Sequence, residues 1–124
     1  MWSDNDYERI RKFLCYPVTS ASMNLISGRC AEVRSISGGA VATVQEYLRE
    51  LEKIESQLRE TRPYAAAASH STAGASTDYL PGRRMGDLRD EGRRYVGLVA
   101  TALGLRVTDD YFAVSNPSVR TRRS

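Results

Sequence analysis

At 124 residues the chain is long enough to bury one hydrophobic core and too short for two ordinary ones. Its 41% apolar and 27% charged residues, with a mean hydropathy of -0.45, argue against wholesale disorder, and no apolar run approaches the roughly 18 to 20 residues of a membrane-crossing helix. Two cysteines and one histidine are too few and too scattered for a disulfide framework or a structural zinc site.

The N-terminus is acidic and then amphipathic, unlike a secretory leader, so a cytosolic setting is expected. A first helix is predicted from about Ser3 to Cys15. Ser3 followed by Asp6 forms a weak capping box. Tyr7, Ile10, Phe13 and Leu14 recur at helical spacing, and Pro17 ends the run. Trp2, just outside the cap, is placed to fold back onto the first turn. Residues 18 to 36 read as a short helix built on Met23, Leu25 and Ile26 and closed by Gly28, followed by a further helical turn or an extended stretch. Cys15 and Cys30 read as small apolar residues, with a disulfide left open.

The strongest periodicity lies between Ser37 and Glu60. Val41, Val44, Leu48, Leu51, Ile54 and Leu58 form one stripe, and a helix ending before Pro63 is expected. Glu46 and Glu50, like Arg49 and Lys53, are like-charged neighbours at four-residue spacing, so the outer face does not read as a tuned set of ion pairs. Residues 62 to 82 are rich in alanine, serine and threonine and read as a long inserted loop. A second long helix is expected over 83 to 104 on Met85, Leu88, Gly92, Tyr95, Val96, Val99, Ala102 and Leu103, with Gly104 as its cap. Gly92 lies on the apolar side, where a glycine permits close approach of a neighbouring backbone.

These elements give an all-α fold: a small helical bundle with two long antiparallel helices over residues 1–104, the loop 62–82 inserted in it, and an extended C-terminal tail over 105–124. The tail ends in Arg120, Arg122 and Arg123 with no acid after Asp110, and reads as solvated or as a contact for an acidic surface or nucleic acid.

No phosphate-binding loop, nucleophile with a positioned base, or carboxylate pair across a cleft is recognisable, and no enzyme activity or cofactor is expected. Ser69, His70 and Ser71 are merely adjacent, which cannot set a base over a nucleophile. Arg83, Arg84, Arg93 and Arg94 share their helix with Asp87, Asp90 and Glu91, a mixture better suited to protein contact than to a dedicated nucleic-acid helix.

Three stretches resemble small phage and prophage head–tail connector proteins of the adaptor or head-completion class: RIRKFLCYPV (9–18), LRELEKIESQL (48–58) and above all EGRRYVGLVATALGLRVTDDYF (91–112). The resemblance implies a helical subunit of a homo-oligomeric ring, commonly dodecameric, between the portal protein and a downstream neck or tail protein. Such a ring extends a channel through which DNA passes without sequence-specific binding. It further implies a place in the virion neck, with the host cytoplasm as the site of assembly, no membrane, no catalytic residue, and a C-terminal extension that docks on the portal. Trp2, Tyr79, Tyr111 and Phe112, with the arginines named above, are the expected interface anchors. The alternative is a small helical regulatory or nucleic-acid-binding protein.

Overall fold

A computed structural model describes residues 1–71 and 81–113, with the side chains of 61–71 and 81–83 left aside. The chain is all-helical: α1 spans Asp4–Leu14, α2 Ser20–Ile36, α3 Gly38–Ser71 and α4 Pro81–Leu103, with no strand among the described residues. No helix among these residues is long and apolar enough to cross a membrane.

α1 begins with the capping box read from sequence: the Asp6 amide donates to Ser3 Oγ at 3.2 Å and the Ser3 amide to Asp6 Oδ2 at 3.1 Å. It stops before Pro17, because Cys15 turns left-handed (φ 64°). The amide of Tyr16 then closes back onto the Arg11 carbonyl at 3.0 Å. A left-handed residue is the usual way to wrap the last carbonyls of a helix, although glycine does it with less strain.

α2 corrects the expected break at Gly28. It is one helix of 17 residues, capped at its start by the Thr19 hydroxyl. Ser22, Ile26, Cys30 and Val33 are its buried face. They follow helical spacing straight through Gly28, whose loss of about 1 kcal/mol against alanine is too small to stop a helix that tertiary packing holds. A single residue separates α2 from α3: the Ser37 amide donates to the Val33 carbonyl and its hydroxyl accepts from the Ala40 amide at 3.1 Å.

α3 buries all six residues of the stripe seen in sequence, Val41 through Leu58. Its outer charges pair at three-residue spacing, Arg49 with Glu46 at 2.6 Å and Lys53 with Glu50 at 3.0 Å, where the sequence drew attention to the like charges four apart. The helix does not end before Pro63. Its backbone continues to Ser71, so residues 62–71 are helical where a loop over 62–82 was expected, and 72–80 lie outside the described residues. The four alanines after Pro63 are the strongest helix formers available, and they favour continuation past the one missing amide donor.

α4 opens on Pro81, a residue preorganised for the first helical position, and ends at Gly104 with φ 68°. Met85, Leu88, Val96, Val99 and Leu103 are buried; Ala100 is buried in place of Ala102, which is exposed. α3 makes its most extensive contact with α4, including the tilted Tyr47 and Tyr95 rings 5.8 Å apart. α1 lies beside α3 in the same direction, joined by Arg9 to Glu52 and Lys12 to Glu55, both at 3.1 Å. Neither cysteine is in a disulfide. Burial of Cys30 pushes its thiol up to about 12, which keeps it protonated and unreactive.

Candidate functional site

The segment after Gly104 is the part of the molecule the sequence left least defined, and it folds back over three helices. The Arg29 guanidinium reaches the C-terminus of α4 and donates to the Leu103 carbonyl at 2.7 Å, a cation set against the negative end of a helix. From there the chain crosses to the end of α1. The Thr108 amide donates to the Leu14 carbonyl at 3.0 Å, and its hydroxyl lies 2.8 Å from the same oxygen and 2.5 Å from the Cys15 carbonyl. These are carbonyls that the end of α1 leaves without helical partners.

Beyond Thr108 the segment closes on α3 and α4. The Tyr111 hydroxyl donates to Glu55 of α3 in a short hydrogen bond, and Lys12 of α1 donates to the other oxygen of the same carboxylate. Burial alone would raise the Glu55 carboxyl, but these two donors outweigh it and hold the group below its ordinary range. On α4, Arg93 donates to Asp110 at 2.8 Å, to Asp90 at 2.7 Å and to the Phe112 carbonyl at 3.1 Å. The Phe112 ring is 4% exposed. It lies so close to Gly92 that a Cβ there would meet three ring carbons at 2.7–2.8 Å. Phe13 stacks on it at 6.2 Å and meets Tyr111 edge-on at 5.0 Å. A close approach does occur at Gly92, but what approaches is the Phe112 side chain of the C-terminal segment and not the backbone expected from sequence.

These contacts reassign several expected anchors. Phe112 is a core residue and Tyr111 is half-buried, so 105–113 is part of the packed fold and the docking tail does not begin at 105. Trp2 is 8% exposed and donates its indole N–H to the Cys30 carbonyl at 2.8 Å, so it anchors α2 as a core residue. Arg93 is committed within the chain. Arg84 and Arg94 are exposed on α4, Arg94 lying 4.9 Å over the Tyr95 ring. Tyr79, Arg120, Arg122, Arg123 and the Arg83 side chain lie outside the described residues.

Beside the segment sits a shallow cavity of about 220 Å³ lined by Val96, Gly97, Val107, Tyr111 and the acids Asp109 and Asp110. It brings together no nucleophile and base, and no group of three metal-ligating side chains occurs among the described residues. The sequence reading missed Glu55, Thr108 and Asp110 as the residues that hold the segment. None has a periodic signal, because each acts through a partner at least 17 residues away. No protein-family model, curated protein or solved structure matches the chain.

Proposed function

We propose that the chain is a structural adaptor of a tailed-phage neck, a non-enzymatic subunit of a ring between the portal and the tail components. The observation that carries this reading is the meeting of the three stretches with connector character. Residues 9–18 supply Lys12 and Phe13, residues 48–58 supply Glu55, and residues 91–112 supply Gly92, Arg93, Tyr111 and Phe112. Stretches far apart in the chain would be expected to converge if they define one subunit type.

On this reading α3 and α4 are the antiparallel pair of a helical bundle. The buried clasp keeps the subunit rigid while exposed Arg84 and Arg94 face a neighbour, and the chain beyond residue 113 reaches the portal. The ring, of about twelve copies by the family likeness, surrounds DNA without reading its sequence. Light scattering of the full chain, alone and with its portal at two salt strengths, tests this. A large closed species, formed alone or on adding the portal, is expected. A small oligomer indifferent to the portal, with affinity for duplex DNA that falls steeply as salt rises, would replace this reading with the nucleic-acid-binding one.

A further inference from the structure

The outer face of α2 has a composition unlike the rest of the surface. From Pro17 to Gly28 the chain holds no charged residue, and this stretch includes Val18, 79% exposed, and Leu25, 46% exposed. Ile36, at the far end of the helix, is 77% exposed. Leu25, Arg29, Glu32 and Ile36 follow one another at spacings of four, three and four, which confines them to an arc of about 60° on an α-helix. Alongside them run Ala21, Gly28 and Ser35, all exposed. A Cβ on Gly28 would meet nothing within 4 Å, so another backbone has room to approach there.

The stripe reads apolar, positive, negative, apolar, and that order is its own complement when reversed. We infer that α2 packs antiparallel against α2 of a second copy of this chain, about a two-fold axis passing between Cys30 and Ala31. In this register Leu25 of each copy meets Ile36 of the other, and Arg29 of each meets Glu32 of the other. Within one chain Arg29 already pairs with Glu32 at 3.0 Å, with 34% and 55% of their side chains exposed, and also donates to the Leu103 carbonyl at 2.7 Å, so the second copy adds its own pair across the exposed edges of these two side chains. Gly28 and Ser35, between the two apolar ends, allow close helix contact. A register shifted by one turn sets Arg29 against Ile36 or Glu32 against Leu25 and loses both matches, so the register is specified by charge as well as by shape.

The contact is isologous and closes after two copies, whereas a ring requires a head-to-tail contact between different faces. The pairing therefore stands apart from the adaptor reading. One helix of about 26 Å supplies the contact, which places it among the small and exchangeable interfaces.

Sedimentation of the full chain over a range of concentrations tests the pairing, using wild type, Leu25→Glu, Ile36→Lys and the double variant. Wild type is expected to pass from monomer to dimer as concentration rises. Each single substitution sets a charge against an apolar side chain of the second copy and is expected to weaken pairing by more than about tenfold. The double variant sets the introduced carboxylate of one copy opposite the introduced ammonium of the other and is expected to recover pairing. Within a chain these positions are about 16 Å apart along the helix and cannot pair. All the substituted positions are exposed, and circular dichroism is expected to show unchanged helicity. A wild type that stays monomeric, single variants that pair as well as wild type, or a double variant that fails to recover would each overturn the proposal. A larger species indifferent to both single substitutions would also overturn it and would assign self-association to other faces.

Discussion

The clasp formed by residues 105–113 and the outer face of α2 are opposite cases of the same problem. At the clasp, aromatic and charged groups that the sequence marked as candidates for an external partner are matched within the chain: Phe112 fills the notch at Gly92, Tyr111 and Lys12 share Glu55, and Arg93 is held by two carboxylates and a carbonyl. On α2, an unbroken helix leaves Leu25 46% and Ile36 77% exposed to solvent. An aromatic residue in a tail is thus weak evidence for an interface until its packing is known. A half-exposed aliphatic stripe on a folded helix is stronger evidence.

Substitutions should separate the two regions by size of effect. Phe112→Ala is expected to cost about 3–5 kcal/mol of unfolding free energy in urea, as for other buried aromatics. A loss below about 1 kcal/mol would return Phe112 to the list of surface anchors. Gly92→Ala gains up to about 1 kcal/mol of helix propensity, yet it drives a methyl into the Phe112 ring. A net loss of about 1–3 kcal/mol is expected from overpacking, and Phe112→Ala in the same chain should abolish that loss.

Tyr111→Phe removes one charged hydrogen bond, for an expected loss of about 1.5 kcal/mol. The pH dependence sharpens this result. The folded carboxyl of Glu55 lies below its ordinary value of 4.5, so its contribution is complete above that pH and disappears as pH falls through the folded value. Unfolding midpoints of wild type should drop across that acid window, and those of Glu55→Gln should drop less. Smallest of all, Leu25→Glu and Ile36→Lys should change monomer stability by less than about 0.5 kcal/mol while altering association. A large loss of stability in either variant would place that side chain in the core and erase the contrast between the two regions.

Much of the fold was legible because periodicity needs only local information. The stripe from Val41 to Leu58 is buried as its spacing implies, as is that from Met85 to Leu103 apart from half-buried Tyr95 and exposed Ala102. The caps at Ser3 and Gly104 were visible because each depends on residues within a turn. α2 was harder to read. Its two faces contrast little, because Ser22 is buried while Leu25 and Ile36 are exposed, so Gly28 looked like an end when it is only a weak point in a continuous helix. The pairing stripe at 25, 29, 32 and 36 follows ordinary helical spacing, but it spans the break assumed at Gly28 and was lost with it.

Alone, the sequence determined three things: helical class, the two long apolar stripes and the positions of the strongest caps. All are set by residues a few positions apart. Tertiary structure decided which aromatics face inward, which charges are spent within the chain and where the C-terminal segment lies. Those outcomes depend on partners 17 to 94 residues apart, whose meeting is fixed by how the helices pack.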